Sequence, residues 1–245
     1  KVCFLESISN PTLEVCDISG VAKIAHEGGA KLVVDNVFAT PLFQQTLKLG
    51  ADVVIYSATK HIDGQGRCLG GVVLGTEEYI QDVFIPFNKH TGPAMSPFNA
   101  WVMLKGLETI SLRCEAQAEN AEKIVNALKG HKNITRILYP TDVSHPQYEL
   151  AISQMTKGGT VVSFELSGGK KAAFSFLNAL EIITISNNLG DAKSLATHPV
   201  TTTHKNMAAE AREAAGITDG FVRLSVGIED PEDLIVDLLE ALEKV

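Results

Sequence analysis

The segment that decides the fold is Val53-Val54-Ile55-Tyr56-Ser57-Ala58-Thr59-Lys60, an apolar run that passes into two hydroxyls and a lysine. Such a continuous apolar run predicts a strand buried on both faces. Residues 2–5, 32–35 and 71–74 have the same character. Four such runs in the first 75 residues predict one sheet.

Helical patterns separate these strands. Residues 17–26 carry apolar side chains at helical spacing and are followed by Gly28-Gly29, and residues 42–49 form a second short pattern that stops at Gly50. Strands that alternate with helices are typical of a parallel sheet covered on both faces. The first half therefore predicts an α/β domain with a mixed, mostly parallel sheet.

The second half has a different organisation. Pro86, Gly92, Pro93 and Pro97 predict a loop-rich stretch, and residues 98–128 predict one long helical region, broken near Gly106.

Mixed strands and helices follow this long helical region. We assign residues 1–110 to the large domain and 111–245 to a smaller α+β C-terminal domain. Its predicted strands are 160–166, 182–185 and 221–226, and its predicted helices are 170–180 and one that begins after Asp230 with Pro231.

Composition excludes several classes of protein. The chain of 245 residues has 21 basic and 29 acidic side chains, so its net charge of −8 disfavours nucleic acid and anionic membrane surfaces as partners. Its four cysteines and seven histidines are dispersed, which predicts reduced thiols in a cytoplasmic protein and no metal site. No apolar run is long enough for a membrane helix. The chain opens directly on a core strand, so we expect that an N-terminal part is missing.

Three polar features follow strands, where open α/β sheets bind their ligands. Asp35 ends one strand, and it either caps the next segment or holds a protonated ring nitrogen of a cofactor. Ser57, Thr59 and Lys60 form either a solvated loop or a site in which hydroxyls bind a phosphate and the amine forms an imine. An imine-forming lysine needs a lowered pKa, which partial burial and a nearby cation would supply.

Arg223 is the third feature. It interrupts the apolar run 221–226, so its guanidinium either points outward to solvent or pairs with an anion such as a carboxylate. Each feature alone leaves both interpretations open.

Taken together and in order, these motifs resemble the Cys/Met-metabolism enzymes that depend on pyridoxal phosphate (PLP). The resemblance runs from Lys1 to Val245. It rests on these segments: Glu6-Ser7-x-x-Asn10-Pro11, Asp35-Asn36, Ser57-Ala58-Thr59-Lys60, Leu189-Gly190 and Val222-Arg223-Leu224-Ser225-Val226-Gly227-Ile228-Glu229-Asp230.

The resemblance implies a role for each matching residue, and it implies PLP as the cofactor. Lys60 matches the Schiff-base lysine, and Asp35 matches the partner of the pyridine nitrogen. The remaining matches are Ser57 and Thr59 for the phosphate, Asn10 for the phenolic oxygen, Arg223 and Asn188 for the substrate α-carboxylate, and Thr203 for a neighbouring pocket loop.

Three loops are similar to the O-succinylhomoserine sulfhydrylase branch of the family. They are the segments 61–71, 92–101 and 186–191. This similarity implies γ-replacement, in which O-succinyl-L-homoserine and sulfide give homocysteine and succinate. Methionine or cystathionine γ-lyase is the alternative enzyme.

An inactive fragment that only associates with other subunits is the alternative of another class. The family's N-terminal segment, which carries part of the PLP site, has no counterpart here. The family also implies a homotetramer built from dimers.

Overall fold

The computed structural model describes residues 1–245 and contains two sheets. The first sheet has four strands in sequential order, of which the first three are parallel and the fourth is antiparallel to its neighbour. The mixed, mostly parallel sheet is therefore confirmed. Its strands are β1 (Val2–Glu6), β2 (Lys31–Asp35), β3 (Val53–Ser57) and β4 (Gly71–Gly75).

Helix α1 (Ile18–Glu27) covers this sheet as predicted. The Asp17 side chain accepts a hydrogen bond from the Gly20 amide at 2.9 Å and caps the helix. Ile18, Ala22 and Ala25 are buried on one face of α1 and pack into the core beneath the sheet.

The single helix predicted over residues 42–49 is wrong. The chain forms a short helix α2 (Thr40–Phe43), an extended residue at Gln44 and a 3₁₀ turn over Thr46–Leu49. The buried Asn36 amide donates to the carbonyls of Thr40 and Gln44 at 3.2 and 3.0 Å. The Thr40 carbonyl still accepts from the Gln44 amide, whereas the Gln44 carbonyl accepts from the Asn36 side chain and the backbone turns extended at Gln44.

The loop predicted around Pro86 is also wrong. Helix α3 (Glu77–Tyr79), a π-helical segment (Ile80–Phe84) and helix α4 (Ile85–Thr91) follow one another, and Gly92 ends them with a positive φ of 79°. Pro86 lies in the first turn of α4, where its missing N–H is tolerated.

The long helical region is confirmed, with its break at Glu108-Thr109. Helix α5 (Pro97–Leu107) is followed by α6 (Ile110–Leu128). The first half of α6 packs into the core under the first sheet, and its second half packs into the core under the second sheet. We propose that α6 links two domains, as the division at residue 110 implies.

The second sheet is mostly antiparallel and has the order β5-β6-β9-β8-β7. It confirms the α+β character of the C-terminal half. The predicted strand over 182–185 shrinks to two residues, and β5, β8, α7 and α9 were not predicted. The elements are β5 (Ile134–Leu138), α7 (Tyr148–Gln154), β6 (Val161–Leu166), α8 (Gly169–Ala179), β7 (Thr184–Ile185), β8 (Leu195–Thr197), a 3₁₀ turn (Pro199–Thr201), α9 (Ala209–Ala214), β9 (Phe221–Ser225) and α10 (Pro231–Leu242).

The last helix begins as predicted. The Asp230 carboxylate accepts from the amides of Glu232 and Asp233 at 2.9 and 3.4 Å, and Pro231 occupies the first turn of α10. No helix of the structure is both long and apolar enough to cross a bilayer.

Candidate active site

Lys60 lies in a tight turn at the carboxyl end of β3. Its amide donates to the Ser57 carbonyl at 3.1 Å, and its carbonyl accepts from Gly64 at 2.7 Å. The turn fixes the Lys60 backbone, and its side chain reaches across to the second half of the chain. There the Nζ ammonium donates to Asn188 Oδ1 at 2.5 Å.

The environment of Lys60 favours the neutral amine. Partial burial and, after it, the positive charge of Arg223 lower the pKa of Lys60 from its usual value. Partial burial and a nearby cation are the two causes expected for a lysine that forms an imine. A lysine with a lowered pKa supplies more of the free amine that attacks an aldehyde.

Arg223 is buried, so the outward-facing alternative is wrong. It lies in β9 with a relative exposure of 1%, and burial lowers the pKa of Arg223 to about 10. Its Nη1 donates to Asn10 Oδ1 at 2.9 Å, and its Nη2 donates to the carbonyls of Asn187 and Asn188 at 2.9 and 3.0 Å. Its Nε has no partner. A buried guanidinium without a carboxylate partner is suited to bind a substrate carboxylate.

Asn10 reaches Arg223 from the loop after β1. The backbone amide of Asn10 donates to Glu6 Oε2 at 3.1 Å, and the side-chain oxygen of Asn10 accepts from Arg223. The pKa of Glu6 is raised, mainly by burial, and the charge of Asp35 adds to that rise. Strands β1 and β2 pair in register at Glu6 and Asp35, so both side chains lie at the carboxyl ends of neighbouring strands.

Asp35 serves as a local cap and keeps one oxygen free. Its Oδ1 accepts from the Val37 amide at 3.0 Å, and its Oδ2 has no hydrogen bond within the chain. Burial raises the pKa of Asp35, which means that its negative charge lacks full compensation. The cap and the predicted ring-nitrogen role are therefore compatible.

The two predicted phosphate hydroxyls differ. The Thr59 hydroxyl accepts from the Gly70 amide at 3.1 Å, so the chain itself occupies part of its capacity. The half-buried Ser57 hydroxyl forms no hydrogen bond within the chain and remains available for an anion.

A cleft of about 410 Å³ surrounds Lys60. The structure brings Lys60, Thr59 and Asn188 together in its wall, with Arg223 and Asn10 behind Asn188. A larger cleft of about 580 Å³ lies elsewhere and contains none of the predicted site residues. The wall of the Lys60 cleft consists of Thr59, Lys60, Gly66, Arg67, Cys68, Leu69, Asn187 and Asn188.

Thr203 does not join this group. It is exposed, and its hydroxyl contacts Nδ1 of the next residue, His204, at 2.8 Å. His204 itself is closer to the site, since it contacts the Asn10 backbone. Burial and, to a smaller extent, the charge of Arg223 lower the pKa of His204. Sequence reasoning missed His204, although its position beside Thr203 was an available signal.

Arg67 was missed for a different reason. It occurs in a loop, 61–71, that was notable only as a similarity between sequences. The structure turns this loop back so that Arg67 lines the cleft of Lys60.

The residues present fit PLP. The Lys60 amine has a lowered pKa, Asp35 has a free carboxylate oxygen, and the Ser57 hydroxyl is unpaired. These are the three kinds of group that hold an aldehyde, a pyridinium nitrogen and a phosphate. We propose these three residues, with Thr59 and Asn10, as the part of the PLP site that this chain contributes.

Known proteins match the whole chain. The family model described as Cys/Met metabolism PLP-dependent enzyme matches residues 1–243. An O-succinylhomoserine sulfhydrylase from Mycobacterium tuberculosis is 55% identical over 99% of this chain, and an L-methionine gamma-lyase from Fusobacterium nucleatum is 43% identical over 100%. The chain spans 61% and 62% of the lengths of these two relatives.

A solved structure gives the same result. A cystathionine gamma synthase from Xanthomonas oryzae superimposes with a TM-score of 0.96 and 39% identity, over 100% of this chain and 63% of that one. Sequence, fold and site geometry agree, and this chain belongs to the Cys/Met-metabolism family of PLP-dependent enzymes.

Proposed function

We propose that the protein catalyses γ-replacement, converting O-succinyl-L-homoserine and sulfide to homocysteine and succinate. The observation that carries this proposal is the 55% identity to an O-succinylhomoserine sulfhydrylase, against 43% to a methionine gamma-lyase over the same residues. The Lys60 cleft supports it, because the cleft holds an amine with a lowered pKa and the buried cation of Arg223 lies behind Asn188 in its wall.

When bound, PLP supplies an electron sink for the bond that breaks at the substrate α-carbon. Lys60 would carry the cofactor and, once the substrate amine has displaced it, remove the α-proton as a general base. Its lowered pKa increases the fraction of free amine available for that step. Asn188 Oδ1, which accepts from Nζ, would hold the released side chain at the cleft wall.

Arg223 would bind the substrate α-carboxylate. Its guanidinium is held by Asn10 and by two backbone carbonyls of the loop that carries Asn188. A carboxylate fixed there orients the α-proton toward Lys60, and such orientation lowers the barrier without new chemistry. Asp35 would keep the ring nitrogen protonated through its free oxygen, and Ser57 would contact the phosphate.

An assay with and without sulfide tests this proposal. The protein loaded with PLP is given O-succinyl-L-homoserine and, in a separate reaction, L-methionine, and homocysteine is measured together with 2-oxobutyrate. Homocysteine that forms only when sulfide is present is the expected result. Oxobutyrate formed from methionine at a comparable rate would replace the proposal with γ-elimination, the reaction that the methionine gamma-lyase relative favours.

We also propose a homo-oligomer, a tetramer built from dimers, in the cytoplasm. Helix α5 exposes Phe98, Trp101 and Leu104 at 69%, 56% and 58%, on one side of the helix. Exposed apolar patches of this kind mark association surfaces. Light scattering of the eluting protein measures its mass, and a monomer at micromolar concentration would contradict this part of the proposal.

A further inference from the structure

Arg67 occupies the wall of the Lys60 cleft without a role in the chemistry described above. It follows Lys60 by seven residues, and the chain between them is tightly folded. The Asp63 amide donates to the Ala58 carbonyl at 2.8 Å, and the Gly64 amide donates to the Lys60 carbonyl at 2.7 Å. This turn returns the chain to the cleft at Arg67.

Asp63 fixes the Arg67 side chain. Its carboxylate is fully buried and accepts from Arg67 Nε at 2.9 Å and from the Arg67 backbone amide at 2.6 Å. The Asp63 carbonyl accepts from Nη2 at 2.6 Å. Two hydrogen bonds, from Nε and Nη2, therefore orient the guanidinium, and the one from the backbone amide fixes the main chain beneath it. Its Nη1 forms none within the chain, and the side chain is 39% exposed.

We propose that Arg67 binds a carboxylate at the far end of the substrate's acyl group. This inference rests on the proposed function and specifies its substrate class, namely O-acyl homoserines whose acyl group ends in a carboxylate. The O-succinyl ester has that group, and the O-acetyl ester lacks it.

The arrangement gives the substrate two anchors. Arg223 lies behind Asn188 and suits the α-carboxylate, whereas Arg67 lies in the same cleft wall beside Leu69. Leu69 is 76% exposed and offers an apolar contact for the methylene groups between the ester and the distal carboxylate.

The size of the preference for the succinyl ester over the acetyl ester follows from the contact between Arg67 and the distal carboxylate. Asp63 sets the position of Arg67, and the free edge of the guanidinium supplies the hydrogen bonds. Hydrogen bonds to charged groups contribute enough to change affinity about 10- to 100-fold. We therefore expect the protein to prefer the succinyl ester by such a factor, and we expect that factor to depend on Arg67.

The test compares two esters in three proteins. The kcat/KM for homocysteine formation is measured with O-succinyl- and O-acetyl-L-homoserine in the wild type, R67L and R136L. Arg136 is a matched control, because it is 40% exposed and likewise paired with an acidic residue, Glu165, at 3.4 Å. We expect R67L to lower kcat/KM for the succinyl ester about 10- to 100-fold and to leave the acetyl ester within about twofold. R136L should leave the ratio unchanged.

Two binding measurements accompany this assay. Calorimetry on the cofactor-free protein gives the dissociation constants of both esters, and a PLP titration followed by absorbance gives the affinity for the cofactor. We expect R67L to abolish the difference between the esters and to retain the wild-type PLP affinity.

The outcomes separate the inference from the proposed function. An unchanged ester preference in R67L contradicts the inference. A weakened PLP affinity together with an equal loss of kcat/KM for both esters also contradicts it, because that result would assign Arg67 to the phosphate of the cofactor. If neither ester yields homocysteine, the proposed function fails, and the calorimetric preference alone then decides whether Arg67 reads the acyl carboxylate.

Discussion

At the scale of single residues, Lys60 has a neutral hydrogen-bond partner and a cation nearby, and no carboxylate partner. Asn188 offers a neutral oxygen to the Nζ at 2.5 Å, and Arg223 lies close enough to lower the pKa of Lys60. The lysine is thus held by a group that does not stabilise its charge as a carboxylate would. Burial and the charge of Arg223, which lower the pKa of Lys60, therefore act without an opposing carboxylate.

The contact between Lys60 and Asn188 yields a prediction. Asn188→Asp places an opposite charge beside Nζ, which raises the pKa of Lys60 and decreases the fraction of free amine at neutral pH. The rate at which the cofactor-free protein takes up PLP should then fall, and its half-maximal rate should move to higher pH. Stopped-flow absorbance across a pH series measures both, with Asn188→Ala as the uncharged control. An unchanged pH profile in Asn188→Asp would contradict the account.

Single residues also show what the sequence could not provide. The ordered motifs that include Asp35, Lys60 and Arg223 predicted the kind of site and the cofactor class through their resemblance to a known family. The motifs could not place Arg67 or His204, because their roles arise from loops that return to the cleft. They could not show that the Gly70 amide already donates to the Thr59 hydroxyl, since that contact joins positions 11 residues apart across a turn.

At the scale of elements, a polar contact joins helix α6 to segments next to strands β8 and β9 of the second sheet. Gln117 is fully buried in α6, and its Nε2 donates to the carbonyls of Asp191 and Val226 at 2.8 and 2.9 Å. Both carbonyls belong to segments that flank residues of the site, Asn188 and Arg223. The contact therefore ties the position of the helix to the geometry of the cleft.

Removing that contact should destabilise the protein. Gln117→Leu leaves two buried carbonyls without a donor, and we expect the free energy of unfolding to fall by about 2 kcal/mol or more. Urea unfolding followed by circular dichroism measures the change. Lys123→Gln on the exposed side of the same helix is the matched control and should change it by less than about 0.5 kcal/mol. Equal effects in both variants would contradict the assigned role of Gln117.

Elements also differ in how well they follow from sequence. Helices α1 and α10 were predicted from apolar spacing and from the residues that end or begin them, which are local signals. Helix α6 was predicted as part of one long helical region, 98–128. The helix over 42–49 failed because the chain is extended at Gln44, whose carbonyl accepts from the side chain of Asn36 outside that window. Short edge elements such as β8 lack a periodic pattern long enough to detect.

At the scale of the whole molecule, one buried histidine links the two halves. His61 lies next to Lys60, and its Nε2 contacts the Thr160 hydroxyl at 2.7 Å, across 99 positions of sequence. Burial, with added repulsion from Arg113 and Lys60, lowers the pKa of His61 to about 3. His61 is thus neutral in the folded protein over the physiological range.

This depressed pKa predicts acid sensitivity. Between the ordinary pKa of about 6.5 and the folded value of about 3, the unfolded chain binds a proton that the folded chain excludes, so acidification favours unfolding. His61 should cost about 2 kcal/mol of stability between pH 7 and pH 5. Urea unfolding at both pH values should show this loss in the wild type and a smaller loss in His61→Gln. The same loss in both proteins would contradict the assignment.

The central claim for the whole molecule is that Lys60 carries PLP, and a covalent label tests it most directly. The protein is incubated with PLP, reduced with borohydride, digested and analysed by mass spectrometry, beside Lys60→Ala. We predict a yellow absorbance band before reduction and one phosphopyridoxyl group on the peptide that contains Lys60, with neither in the variant. A label on another lysine, or the same band in Lys60→Ala, would contradict the account.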